Sequence, residues 1–377
     1  MTAAPTLSQL VRDRHIIVCC GSGGVGKTTT AAVLALEAAR SGRRACVVTI
    51  DPARRLANSL GVDTLPNTPT DIDGPWPGRL AALMLDPKRT FDDLVHREAG
   101  SPERAEGILA NRIYRSLSTS LSGTHEYMAM EKLHELVTSA EFDLVVVDTP
   151  PSRNALDFLD APRRLTHFLS NRLFQVLMMP TRASLRVMGV AAQALLRTIA
   201  KVAGAEIVRD AVTFFQLFEG MEEGFRVRAQ LVHDLLAQPS TAFVLVAAPR
   251  PDSVDEAVHF AAKLEESGMS TAALVVNRVL PRFADAAEMA DFPEPPPGPD
   301  GADYALMVAN LRAVVAAAGR EDDTIAALVR QVDPAPVIRV PMLETDVHDL
   351  AGLERVAGVL FGSGPPTGAG EGTRANG

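Results

Sequence analysis

The sequence has little of what staples or stiffens small proteins. Of its 377 residues only three are cysteine, three tyrosine and one tryptophan, and aromatics make up 5%. Without a C-x-x-C pair, neither a disulfide framework nor a structural zinc is expected. Cys19, Cys20 and Cys46 all fall in short apolar runs that read as buried strands, which points to a reducing, cytoplasmic setting. No apolar run approaches the ~20 residues of a membrane span. The opening MTAAPTLSQLVRDRH has no basic start followed by an apolar core and does not read as a signal peptide. Basic charge is also short: 37 Lys and Arg against 46 Asp and Glu, a net charge of −9. A nucleic-acid surface needs clustered Lys and Arg, so that class of function is not expected.

What the sequence does have is short, continuous apolar runs. They occur at 15–20, 44–50, 80–86, 142–150, 242–249, 271–280 and 337–343. Continuous rather than alternating apolar character fits strands covered on both faces, and helix-like segments separate them. That order predicts an α/β fold with a doubly wound, mostly parallel sheet. Two segments, 87–138 and 162–238, break the rhythm and read as helical insertions. Leu185, Met188, Ala192, Leu195, Ile199 and Val202 form one apolar stripe; a second runs from Ile207 through Phe214, Phe218, Met221 and Phe225 to Leu236. Pro180 should separate two helices, and Gly220 with Gly224 should kink or interrupt a third. The expected division is a core of 14–86, 139–161 and 239–361, an N-terminal extension 1–13, a Pro-rich loop 290–303 and a disordered tail 362–377.

The stretch GSGGVGKT, Gly21 to Thr28, matches G-x-x-x-x-G-K-[ST] between a strand and a helix. Backbone N–H groups of Gly23, Gly24, Val25, Gly26, Lys27, Thr28 and Thr29 are the candidate cradle for the phosphates of ATP, at the positive end of the following helix. Lys27 is expected to reach the terminal phosphates and the Thr28 hydroxyl to bind Mg²⁺. Asp51 and Asp148 end apolar runs and should emerge at the carboxyl edge of the sheet beside this loop. Thr28, Asp51 and Asp148 are thus the candidate metal residues.

Together with this loop, DPARRL, VVVDTPPSRNALDFL, LVVNRVLP and VPMLETDV follow in an order that resembles the arsenical-pump and tail-anchored-protein-targeting ATPases. Those are phosphate-loop dimers of the deviant-Walker class, and the resemblance extends over about 14–360. It implies that Asp51 orients the attacking water, that Asn277 hydrogen-bonds adenine, and that Pro341 and Met342 line the other side of the base. Asp148-Thr149-Pro150-Pro151 matches the family's DTAP-type switch, with Pro150 in place of alanine, and residues 122–133 resemble a segment near the dimer seam, with Ser122 in place of proline. Other departures are Arg54 for a histidine, and Arg153 and Asn154 for a Gly-His pair. The targeting factors' zinc-binding C-x-x-C and the arsenite-binding cysteines are missing, so no zinc and no arsenic sensor are expected.

Ser22 stands where such dimers carry a signature lysine that crosses to the partner's nucleotide. Three readings stay open: a heterodimer with a lysine-bearing paralogue, a homodimer in which Arg54, Arg55 or Arg153 supplies the cation, or a slow ATPase that mainly holds nucleotide. The resemblance further implies a client, a membrane-protein segment or a transporter subunit, and transient contact with the membrane. Methionines 84, 128, 130, 178, 179, 188 and 221 in or near the insertions suit either an apolar client groove or plain helix packing. Exposure of some of Leu173, Leu177, Met178 and Phe218 in one nucleotide state is expected if the groove exists. Spatial-organiser ATPases and a non-catalytic scaffold are the competing classes.

Overall fold

In a computed structural model of the chain, residues 4–51, 53–120, 124–150, 205–218, 220–284, 288–289, 293 and 299–362 are described. The apolar runs become strands β1 (Ile16–Cys20), β2 (Arg44–Thr49), β3 (Thr70–Asp71), β4 (Arg79–Met84), β5 (Leu144–Asp148), β6 (Thr241–Ala247), β7 (Thr271–Val279) and β8 (Val337–Pro341). They form one sheet in the order β3-β4-β2-β5-β1-β6-β7-β8. Every neighbouring pair is parallel except β3 with β4. The α/β, mostly parallel architecture is therefore as expected; only the two-residue β3 carries no apolar run to announce it.

The helices are α1 (Leu7–Asp13), α2 (Lys27–Arg40), α3 (Arg55–Ser59), α4 (Pro87–Glu98), α5 (Pro102–Ala110), α6 (Arg112–Ser120), α7 (Thr124–Thr138), α8 (Ala205–Phe218), α9 (Glu222–Ala237), α10 (Pro251–Glu266), α11 (Pro299–Gln331) and α12 (Leu350–Phe361). Pleating sends successive side chains of a strand to opposite faces, and β1 shows why its run had to be continuous. Ile16, Val18 and Cys20 join an apolar layer with α4–α11, whereas Ile17 and Cys19 join a second layer with α1, α2, α3 and α12. All three cysteines are buried on strands.

The N-terminal extension holds a helix packed on the core: Thr6 and Gln9 form a capping box, and α1 buries Leu7, Leu10 and Val11. One boundary needs correction. The Pro-rich loop does not reach residue 303, because α11 already starts at Pro299. Proline lacks an N–H, which costs nothing in the first turn of a helix, where that donor has no partner within the helix. Of the tail, Gly362 closes α12 in a left-handed conformation (φ 73°), and 363–377 lie outside the described residues.

Insertion 87–138 supplies α4–α7, and the second insertion supplies α8 and α9. Residues 162–204, with Leu173, Leu177, Met178, Met179, Pro180 and the stripe from Leu185 to Val202, lie outside the described residues, as do Ser122 and Pro151 to Asn154. The second stripe packs as its spacing requires: Phe214, Phe218, Met221, Phe225, Ala229, Val232 and Leu236 are all buried. The break expected near Gly220 is there, with φ 84° between α8 and α9. Phe225 meets the rings of Phe91, Tyr127 and Phe218, at centroid distances of 6.1, 6.4 and 5.2 Å. Met128, Met130 and Met221 fill the same layer, which is the plain packing reading of those methionines.

One carboxylate is buried in this helical layer. Glu131 on α7 is 1% exposed and pairs with Arg97 of α4 at 2.6 Å and Arg228 of α9 at 3.0 Å. Arg228 also bonds Glu98 at 2.9 Å, so the four charges tie the first insertion to the second. Removing one partner of such a network leaves a buried charge uncompensated, so it is costly to break even where it adds little net stability.

Phe225→Ala should destabilise the chain by about 3–5 kcal/mol, since it removes a fully buried ring that its neighbours cannot replace. Urea unfolding followed by circular dichroism checks this.

Candidate functional site

The chain leaves the central strand β1 towards β2 on one side and returns to its other side at β6. A doubly wound sheet opens a crevice at the carboxyl ends of its strands where the order reverses in this way. The loop Gly21–Gly26 fills that crevice. Gly21 must be glycine: at φ 148° a Cβ would sit 2.0 Å from the Val246 carbonyl oxygen of β6. Ser22 is buried, and its hydroxyl donates to Ser253 Oγ at 3.0 Å, which also accepts from the Ala248 N–H at 3.0 Å. The side chain at the loop's second position is thereby tied to the start of α10 within the same chain.

Lys27 opens α2, is 6% exposed and donates from Nζ to the Ser22 carbonyl at 2.8 Å. Burial lowers its pKa, while Asp148 is the largest opposing influence. Asp148 is fully buried at the end of β5, and its Oδ2 accepts from Thr28 Oγ1 at 2.8 Å and Thr49 Oγ1 at 2.9 Å. Its Oδ1 is buried with no hydrogen-bond partner among the described residues. Burial pushes the Asp148 carboxyl up to about 6, although the Thr28 and Thr49 hydrogen bonds and Lys27 pull the other way. Asp51 stands at the mouth, its side chain 13% exposed. Its Oδ1 accepts from the Ala53 N–H at 2.9 Å, and its own N–H donates to Thr49 Oγ1 at 3.2 Å.

These groups border a cavity of about 480 Å³, lined by Gly24, Gly26 to Thr30, Asp51, Asn277, Pro341 and Met342 among others. Residues from distant stretches of sequence thus border one cavity. Gly23 is exposed on the loop and Val25 is buried beneath it; neither is among the lining residues, and Asp148 lies below Thr28. Arg55 and Thr149 also line the cavity, as do Asn58, Arg278, Asp346 and His348, to which sequence reading gave no role. Asp346 and His348 follow Met342 in a polar run, LETDVH, that a strand-end loop beside a ligand could have suggested.

The donor set fits a hard cation. Mg²⁺ takes oxygen ligands, commonly one or two carboxylates with water and phosphate oxygens, and Thr28 Oγ1 with the orphaned Asp148 oxygen matches that demand. Among the described residues no group of three or more His, Cys, Asp or Glu stands close enough to hold a metal alone. An ion here would depend on phosphate and water for its remaining ligands.

Fold and loop together define a phosphate-loop nucleotide-binding protein. A profile of the anion-transporting ATPase family matches residues 14–290, and the chain belongs to that family. It is similar to the uncharacterized protein SCO2128 of Streptomyces coelicolor, with 33% identity over 274 residues, 72% of this chain and 64% of the relative. It is 27% identical to the ATPase GET3 of Malassezia globosa over 73% of this chain and 76% of the relative. With the ATPase get3 of Aspergillus terreus it shares 29% identity over 44% of this chain and 49% of the relative. The matches thus span from about half to three quarters of these relatives' lengths. No described helix is long and apolar enough to cross a membrane.

Asp148 gives a pH signature. Its ordinary value is 3.8 and its folded value about 6, so between them the folded chain holds a proton that the unfolded chain has lost. Stability of the ligand-free chain should therefore fall by about 2 kcal/mol as pH rises from 4 to 6 and level off above about pH 7. Asp148→Asn should remove that part of the slope; urea unfolding across pH 4–7 measures it.

Proposed function

We propose that the chain binds ATP with Mg²⁺ and hydrolyses it, as a dimeric switch whose nucleotide state governs a membrane-associated client. The observation that carries this reading is the cavity itself. It joins a phosphate loop, a buried ammonium, a partly exposed carboxylate and an apolar-edged base end in one space. Lys27 and the loop N–H groups hold and neutralise the phosphates. Bound Mg²⁺ would supply further charge neutralisation on the phosphate oxygens, held by Thr28 and Asp148. Asp51 keeps its carboxylate at the mouth through the Ala53 N–H, placed to orient an attacking water. Asn277, Pro341 and Met342 take the base. In this reading 87–138 and 162–238 form the helical part that meets the client, and some of Leu173, Leu177, Met178 and Phe218, the last buried here, become exposed in one nucleotide state.

The partner across the dimer is the open choice. Ser22 is neutral, buried and bonded to Ser253, so it offers no cation to another subunit's nucleotide, which favours a lysine-bearing paralogue as partner. Arg55 favours the other choice, a homodimer: its side chain is 61% exposed, lines the cavity and lies 3.7 Å from Asp51. Arg54 is exposed, and Arg153 lies outside the described residues.

Phosphate release by the purified chain tests both levels. Lys27→Ala should remove nucleotide binding and turnover together, whereas Asp51→Asn should keep ATP binding and lower turnover by about 100-fold or more. Retained turnover in both variants would overturn the assignment. Fast turnover by the chain alone that is lost in Arg55→Ala supports the homodimer. Turnover that appears only with an added paralogue supports the heterodimer.

A further inference from the structure

The base end of the cavity and the phosphate loop are not independent, because one side-chain amide belongs to both. Asn277, near the end of β7, lines the cavity, and its Nδ2 donates to the Val25 carbonyl at 2.8 Å. Its Oδ1 accepts from the Arg278 N–H at 2.9 Å. An asparagine amide has two N–H donors and two acceptor lone pairs, so one of each is committed to backbone and one of each remains.

Two backbone features show that this arrangement is built. Strand register between β7 and β8 shifts between Asn277 and Val279, and Arg278 at the shift has φ 61°, a left-handed conformation uncommon for a residue with a side chain. That bulge presents the Arg278 N–H to Asn277 Oδ1, which sets the amide with its nitrogen towards the loop. On the loop side, Gly26 has φ 100°, and a Cβ there would lie 2.2 Å from Asn277 Nδ2. A side chain at Gly26 would be strained at that φ and would push the Asn277 amide aside.

We infer that Asn277 is a positioning residue for the phosphate loop, holding the Val25 peptide from the base end of the cavity, in addition to any contact with a base. This rests on the reading of the cavity as a nucleotide site. Through it the loop is preorganised before nucleotide arrives, and loss of the amide loosens the cradle even for a ligand that has no base.

Inorganic tripolyphosphate with Mg²⁺ is that ligand. Calorimetric titration of the wild-type chain and Asn277→Ala with ATP and with tripolyphosphate separates the roles. The expected result is a weakening of roughly tenfold for both ligands, the size of one buried hydrogen bond. If Asn277→Ala weakens ATP and leaves tripolyphosphate unchanged, the residue only reads the base and the inference fails. If the wild-type chain binds neither ligand, the nucleotide-site reading itself fails.

Hydrogen exchange of the ligand-free chain gives a readout that needs no ligand. Asn277→Asp keeps the shape and the acceptor for Arg278 but has no donor for Val25 when ionised. Peptides covering 21–28 should exchange several-fold faster in both variants, with the rest of the sheet unchanged. Wild-type exchange rates at 21–28 in the two variants would overturn the inference.

Discussion

The site depends on one buried carboxylate. Asp148 holds the Thr28 hydroxyl from the start of α2 and the Thr49 hydroxyl from the end of β2 on a single oxygen. Thr49 in turn accepts from the Asp51 N–H, so the aspartate at the cavity mouth is placed, two bonds removed, by the one beneath the loop. An unpaired buried carboxylate is costly, and here the cost is met by two hydroxyls and a nearby ammonium while one oxygen stays free. Three segments far apart in sequence are aligned by that arrangement. One buried oxygen of that carboxylate is left without a hydrogen-bond partner among the described residues.

Two further ties join the same loop to distant parts of the fold. Ser22 is held by Ser253 at the start of α10, and Val25 by Asn277 at the end of β7. The loop is thus gripped from below by β5 and from the side by the helix that follows β6 and by the end of β7. A glycine-rich loop left to itself would sample many conformations. These side chains confine it, and Gly21 and Gly26 are what allow the neighbouring strand ends to come that near.

Much of this was legible in the sequence, and what was not has identifiable causes. Continuous runs such as IIVCC and LVVVD announced strands covered on both faces, and GSGGVGKT announced the loop after the first of them. The opening helix was missed because its seven residues are short for periodicity to register, although Thr6 and Gln9 spell a capping box. The start of α11 was hidden by proline, which ends most patterns but begins this helix. Ser22 could be seen to lack charge; where its hydroxyl goes could not be seen, since Ser253 is 231 residues away. The same holds for Asn277 and Val25, 252 residues apart. Contacts of that range are properties of the sheet order and leave no local mark.

The central position of β1 has a consequence for how the chain comes into being. Its two neighbours, β5 and β6, emerge from synthesis long after it, with the partners Cys19 and Thr149 separated by 130 residues and Ser22 and Ser253 by 231. At about 5–20 residues per second, the most apolar strand of the sheet waits on the order of ten seconds or more for its second flank. Throughout that interval its backbone groups are an open template for pairing with other chains. Parallel sheets of high contact order carry this burden generally. In this chain the burden falls on the strand that leads into the phosphate loop.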